Sequence, residues 1–346
     1  MRVCFPVLAN ELESPSRGGI RRYMFELYRR LCNTAFTEKK EFSYHKKLGG
    51  YASFLLGSVL SDFSSYDIIH HLDNRVFLPL KRGKAKTLTT VHDLAVLTRP
   101  DLHEDFKDSF LSKAHLELHA IKLSNIMAMK SDFIIVQSTQ TKREVLSFGY
   151  PEEKVFITPF GVDERFTEEV ERKNQETFTI GYVGSFMKKK NVASAIRAVK
   201  RIDSEKMIFE LWSDPGRLGD PVWDQIGGDS RIRLMGPFAD DLIISVYDRF
   251  DVLVHPSLHE GFGLPILEGY AREIPVIVFE HAQIPKEISK CAIKVRSEEE
   301  MAETIRQIAR EGVNESHLRQ AREYALGFSW GRTAELTFEA YKKIME

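Results

Sequence analysis

The densest chemistry in the chain lies in DVLVHPSLHEGFGLPILEGYAREIPVIVF, residues 251–279. A β-branched apolar run leads into a Gly-rich loop and then a helical stretch. Gly261 and Gly263 let the backbone approach a ligand closely. Pro265 suits a first helical turn, where its missing N–H costs nothing. The free N–H groups of such a helix start hold an anion such as a pyrophosphate. Glu260 precedes the loop, and Glu268 follows about one turn into the helix. Two carboxylates astride an anion site suit hydroxyl groups better than phosphates, a sugar on one side and a ribose on the other. The bland alternative is a capped helix with a solvated Glu268. The agreement of loop, proline and both acids argues against it.

Three further runs add polar groups at strand ends. In FTIGYVGSFMKKKNVASAIRAV, residues 178–199, a strand ends at Gly181–Gly184 and a basic turn precedes a helix that begins near Asn191. Lys188, Lys189 and Lys190 then lie at the carboxyl end of a strand, where cations meet a diphosphate. Three lysines in a row are otherwise a solvated loop. Even as a cation for the diphosphate, Lys190 is expected to leave the melting temperature nearly unmoved when changed to Ala, because a loop lysine carries little packing. In TLTTVHDLAVL, residues 87–97, His92 and Asp93 end an apolar strand. Such a His points into a ligand crevice or bonds to its neighbours in the core, and the sequence alone balances the two. In SPSRGGIRRYMFELYRRL, residues 14–31, Gly18 and Gly19 open an amphipathic helix, without the G-x-G-x-x-G dinucleotide fingerprint. His255 and His259 read as loop residues, since a metal pair needs a helix and a third ligand.

The elements that must position these groups alternate. Strands are expected at 3–7, 42–45, 68–72, 87–92, 133–138 and 155–160, with helices at 19–31, 51–62, 108–130 and 139–148. After a polar linker, TEEVERKNQET, the pattern repeats. Strands are expected at 178–183, 207–212, 232–235, 252–255, 275–279 and 292–295, with helices at 192–202, 240–249, 265–272 and 298–310. Alternation of this kind builds parallel sheets covered on both faces, with ligands at the carboxyl ends of the strands. The expected architecture is α/β, two Rossmann-like doubly wound domains facing a central cleft. The boundaries fall at 1–165 and 166–329.

Composition fits that picture. A length of 346 residues suits two domains of roughly 150 residues each. The formal net charge of -1 provides no global field to recruit nucleic acid. Cys4, Cys32 and Cys291 lie far apart and read as reduced thiols of a cytoplasmic protein. No apolar run approaches the ~20 residues that span a bilayer. The run YASFLLGSVL leaves a peripheral contact with the inner membrane surface open, although a buried helix is its plainer reading.

HEGFGLPILE resembles the E-x7-E signature of glycosyltransferase family 4 (glycosyl transferases group 1), the retaining group with the GT-B fold that includes mannosyltransferase-like members. The resemblance implies that Glu260 contacts the donor hexose and Glu268 the ribose hydroxyls. Gly261, Phe262, Gly263 and Leu264 form the donor loop between them. The run after Gly184 resembles the family's basic strand–loop motif, with Lys190 as its lysine. Ser185 stands where the commonest form has Arg, and Lys189 fills the Arg position of a variant familiar in mannosyltransferase-like members. The V-H-D segment implies that His92 reaches the donor sugar or its phosphate. The run GGIRRY resembles a G-G-I-x-R-Y motif whose glycines, Gly18 and Gly19 here, lie against donor and acceptor. FSWGRTAELTFEAYKKI resembles the C-terminal helix that packs back on the first domain, here residues 330–346.

The likeness covers nearly the whole chain and implies hexose transfer from a nucleotide sugar. GDP-mannose is favoured, with UDP-glucose or UDP-GlcNAc as alternatives. The acceptor is a hydroxyl of a glycan or lipid-linked sugar. Lysines and a helix N-terminus replace a metal, so neither metal nor cofactor is expected. A nucleotide-sugar epimerase, a degenerate nucleotide-sugar-binding subunit and an NAD-dependent dehydrogenase are the rivals. The missing fingerprint argues against the last.

Overall fold

A computed structural model of the chain describes residues 1–8, 12–13, 18–32, 37–42, 57–74, 78–102, 113–170, 176–213 and 220–346. These divide into two compact units. The first draws on Met1–Asp101, Asp105–Gly161 and Trp330–Glu346, and the second chiefly on Val162–Ser329. Each is an all-parallel, six-stranded sheet with helices, as the alternation of the sequence requires.

In the first unit the strands are β1 (Val3–Leu8), β2 (Thr37–Phe42), β3 (Ile68–His71), β4 (Lys86–Val91), β5 (Phe133–Val136) and β6 (Val155–Ile157), in the spatial order β2-β1-β3-β4-β5-β6. Helix α1 (Gly19–Leu31) buries Tyr23, Met24, Leu27 and Leu31 along one stripe. Its Arg29 and Arg30 lie in the last turn, where cations suit the helix dipole. β2 reads TEKKEF, lies earlier than the strand expected at 42–45, and is mostly exposed. It occupies the sheet edge, where charged Lys and Glu side chains are tolerated and block further pairing. Residues 43–45 and 51–56, within the expected strand at 42–45 and helix at 51–62, lie outside the described residues.

The C-terminal helix Trp330–Met345 belongs to this first unit and packs against α1. Thr333 Oγ1 donates to the Pro159 carbonyl at 2.6 Å. Trp330 lies 5.6 Å from the ring of Phe160, and Tyr341 pairs with His70 at 2.7 Å inside the core.

In the second unit the strands are β7 (Phe178–Val183), β8 (Met207–Trp212), β9 (Ile232–Leu234), β10 (Val252–His255), β11 (Val276–Phe279) and β12 (Ile293–Val295), in the order β12-β11-β10-β7-β8-β9. The chain leaves β7 toward β8 and β9, then returns on the other side with β10. The gap between the carboxyl ends of β7 and β10 is therefore the topological switch point, where parallel sheets of this kind open a crevice. One apolar core joins Ile180, Phe209, Val254 and Ile277 of the sheet with Ala195, Ile196 and Val199 of the helix Val192–Lys200. Gly181 is required by packing. A Cβ there would run into the Phe250 ring.

Among the described residues no helix is long and apolar enough to cross a membrane.

Candidate functional site

The loops that follow β7 and β10 meet at the switch point of the second unit. After β7 the chain forms one tight turn, Lys188–Lys190, then passes through Asn191 in the left-handed region at φ 49°. Asn tolerates that conformation better than most residues. Its side chain donates to the Pro256 carbonyl at 3.3 Å, and the Lys189 carbonyl accepts from the Leu258 N–H at 2.9 Å. The two loops are thus stitched together by backbone. Lys188 is exposed, whereas Lys189 and Lys190 are half-buried.

This stitching brings Lys190 to Glu260. Lys190 Nζ donates to Glu260 Oε1 at 2.6 Å, and His255 Nε2 lies 2.9 Å from the same oxygen. Glu260 is buried, at 6% exposure, and its own N–H is held by the Gln283 carbonyl at 2.9 Å. Burial opposes ionisation of this carboxyl. The charge of Lys190 and the hydrogen bond from His255 outweigh it and hold the group well below the usual carboxylate range. Glu260 is therefore an anion at neutral pH, sharing one oxygen between an ammonium and an imidazole.

The bond between Lys190 and a buried carboxylate corrects the expectation that Lys190 can be removed without thermal cost. A loop lysine carries little packing, but this one neutralises a charge that water does not reach. His255 is a second correction. It is the last residue of β10, only 2% exposed, and not a loop residue. His259 is likewise fully buried.

Beyond Glu260 the loop Gly261–Gly263 leads into the helix Leu264–Ala271. Gly263 caps it at φ 96°, a left-handed conformation that strains any residue with a side chain. Pro265 stands in the first turn, as the sequence requires. Phe262 and Leu264 are buried and anchor the turn. Gly269 lets the helix sit close on the sheet, since a Cβ there would come within 2.8 Å of Val276 and 2.9 Å of Leu253. Glu268 points inward at 4% exposure and accepts from Tyr247 OH at 2.5 Å. Tyr247 lies 21 residues upstream, and nothing in the local sequence marks it as a partner. Gly184 leaves β7 beside the buried Tyr182. A Cβ at Gly184 would meet the Tyr182 hydroxyl at 3.0 Å.

The remaining sequence candidates lie in the first unit. Gly18 caps α1 at φ 112°, and Gly19 is its first residue. His92 follows β4 and is 7% exposed. Its Nε2 lies 2.9 Å from the Leu72 carbonyl, and its Nδ1 lies 3.1 Å from Gln137 Oε1. Burial pushes the His92 pKa down, so the ring is neutral and only one nitrogen carries a proton. The Leu72 carbonyl can only accept, which puts the proton on Nε2. Nδ1 then needs a donor. The Gln137 amide nitrogen is otherwise buried without a partner, and exchanging the amide's N and O satisfies both groups. His92 is thus a fixed neutral imidazole. It packs edge-on to Tyr23 at 5.2 Å, and the Tyr23 hydroxyl lies 2.9 Å from Thr90 Oγ1.

Comparison with known proteins places the two units in sequence families. Residues 36–166 match the family described as Glycosyltransferase Family 4, and residues 177–311 match Glycosyl transferases group 1. A curated relative, O-antigen chain mannosyltransferase B of Escherichia coli, is 24% identical over 311 residues, 82% of this chain and 76% of the relative. Among solved structures, sucrose-phosphate synthase from Thermosynechococcus elongatus superposes with a TM-score of 0.70 at 16% identity, over 100% of this chain and 99% of that one. HepE of Anabaena, solved in complex with UDP, gives 0.68 at 15% identity over 99% and 100%.

Proposed function

The chain belongs to the glycosyltransferases of family 4 and group 1, on the GT-B fold, and from that premise we propose that it moves a hexose from a nucleoside diphosphate sugar to an acceptor hydroxyl with retention at the anomeric carbon. The observation that carries this reading is the cluster of Lys190, Glu260 and His255 at the switch point of the second unit. A cation, a helix start and a buried carboxylate within one loop pair suit a ligand that is anionic at one end and hydroxylated at the other.

In this reading Lys190 and the N-terminus of Leu264–Ala271 stabilise the diphosphate, and Glu260 accepts from hexose hydroxyls. Glu268, aimed by Tyr247, accepts from the ribose. The bond from the anomeric carbon to the diphosphate oxygen breaks, and the acceptor oxygen bonds to that carbon on the same face. The acceptor proton passes to the departing diphosphate oxygen. Charge grows on the diphosphate as the bond breaks, so a fixed cation stabilises the transition state more than the ground state. Neutral His92 enters as a donor contact once one of its bonds to Leu72 or Gln137 is exchanged.

GDP-mannose is the favoured donor, supported by the mannosyltransferase relative and by the Lys-Asn form of the basic loop. The UDP complex of HepE keeps UDP-glucose and UDP-GlcNAc as alternatives. A growing glycan or lipid-linked sugar is the acceptor, met in the cytoplasm at the inner membrane surface. The test is incubation with each nucleotide sugar and a lipid-linked glycan, with product configuration read by NMR. An α-linked product from an α-configured donor is expected. An inverted product removes retention, and isomerised nucleotide sugar without transfer replaces the reading with an epimerase.

A further inference from the structure

We propose that Trp212 takes the base of the nucleotide and that its indole, aimed by Glu210, makes the site prefer a purine to a pyrimidine. The inference rests on the reading above and adds a specificity that the fold does not imply.

Trp212 ends β8, the neighbour of β7 in the sheet. It lies in register with Val183, and its carbonyl accepts from the Gly184 N–H at 3.2 Å. It therefore stands beside the strand end from which the basic turn departs. Alternation along β8 puts Trp212 on the same face as Glu210. That face is the one that holds Glu268. Gly181 lies in register with Glu210, and the Phe250 ring fills the place of its missing Cβ. Phe250 packs on Tyr247 at 5.8 Å, and Tyr247 donates to Glu268. The carboxylate assigned to the ribose and the indole thus share one face of the sheet, at the carboxyl end of its strands, where a base attached to that ribose must lie.

The indole is held in place by an unusual residue. Glu210 is the only charged residue in the four inner strands β11, β10, β7 and β8. A strand covered on both faces calls for apolar side chains there. Glu210 is 1% exposed, and the Arg249 guanidinium grips both its oxygens. Its Oε2 also accepts from Trp212 Nε1 at 3.1 Å. The carboxylate so fixed fixes the indole plane. Trp212 is itself only half-buried, as is Phe238, whose ring stands at 81° to the indole with centroids 5.7 Å apart. The two rings make a corner. A flat base lies along the indole and turns its edge to Phe238, the arrangement that ring quadrupoles favour. A ring already aimed loses little freedom on binding. Stacking strength follows overlap, and a purine covers both fused rings of an indole where a pyrimidine covers only part of them.

The experiment is calorimetric titration of the full chain with GDP and with UDP. Each is measured on the unsubstituted protein, Trp212→Leu, Trp212→Phe and Glu268→Gln, with melting curves confirming that each is folded. The unsubstituted protein should bind GDP more tightly than UDP. Trp212→Leu should weaken GDP by about tenfold and UDP by clearly less, so the preference shrinks. Trp212→Phe keeps an aromatic face and should fall between. Glu268→Gln acts on the ribose, which the two ligands share, and should weaken both by the same factor. A change of preference in one variant and not in the other is something general damage to the unit does not produce. The proposal is overturned if UDP binds as tightly as GDP to the unsubstituted protein, or if Trp212→Leu leaves both affinities unchanged or lowers both by one factor. In those cases a loss in Glu268→Gln keeps the nucleotide-sugar reading standing without it. If the unsubstituted protein binds neither nucleotide, that reading fails first, and the role of Trp212 fails with it.

Discussion

Lys190→Ala should destabilise the second unit in a pH-dependent way, and the structure fixes both the size and the sign. Lys190 is 19% exposed at its side chain and Glu260 8%, so the pair is largely shielded from solvent. Removing the cation from such a pair costs about 3–5 kcal/mol, because the remaining carboxylate is buried and loses its counter-charge. In the unsubstituted protein the Glu260 pKa lies well below its unfolded value. Its contribution is present above the unfolded pKa and is lost as pH falls through the folded one. Without Lys190, burial is opposed by less and the pKa rises from that low position. The penalty is then fully present above the raised pKa and fades as pH falls through it. The difference in unfolding free energy between the two proteins should be fully present above the raised pKa and shrink as pH falls through it. Urea denaturation at several pH values reads this directly. The double variant Lys190→Ala with Glu260→Gln should recover much of the loss, since no charge is left stranded. A loss below about 1 kcal/mol at neutral pH, typical of an exposed pair, or no recovery in the double variant, would refute the reasoning.

Other consequences follow from the same geometry. Lys190→Ala should also lower turnover by about 100- to 1,000-fold, whereas exposed Lys188→Ala should be nearly silent in a rate assay and Lys189→Ala should fall between. Equal, small losses at all three would reduce the basic turn to a charged surface loop. Glu268→Gln should weaken nucleoside diphosphate binding, since a charge-assisted bond is worth about 1.5–3 kcal/mol; unchanged affinities for GDP and UDP by calorimetry would take Glu268 out of the site. EDTA should leave turnover nearly intact if lysine and helix N-terminus neutralise the leaving group, and a complete, Mg-restored loss would point to a different reaction centre.

The sequence made the second unit's frame legible because its central strands are short, apolar-rich runs between polar stretches. Strands 178–183, 207–212 and 252–255 begin and end where the pattern places them. β2 was illegible for a physical reason: TEKKEF lies on an edge, where burial imposes no apolar alternation. The helix Glu315–Leu326 was missed because Leu318, Ala321 and Ala325 are its only buried side chains, too few and too small to mark a stripe. In the site, Gly263 and Pro265 announced a helix start because backbone conformation restricts which residues can stand there. The partners that aim the acids were not visible. His255 touches Glu260 only because the chain turns between them, and Tyr247 reaches Glu268 across the packing of two helices. Contacts of that kind belong to tertiary structure and leave no spacing to read. The resemblance already set Lys190 apart from its two neighbours, and what it could not show is how the bonds from the Asn191 side chain and the Lys189 carbonyl turn Lys190 onto the carboxylate.

The central claim is that the chain binds a nucleotide sugar through the loops after β7 and β10, and the most direct measurement is a thermal-shift screen of nucleotides and nucleotide sugars against the unsubstituted protein and Glu268→Gln. A true donor at about 100 times its Kd adds roughly 2.7 kcal/mol of stability. Such a shift is expected with GDP-mannose, or failing that with UDP-glucose or UDP-GlcNAc, none with NAD, and a smaller shift in the variant. Stabilisation by NAD alone, or by no nucleotide sugar at all, would contradict it.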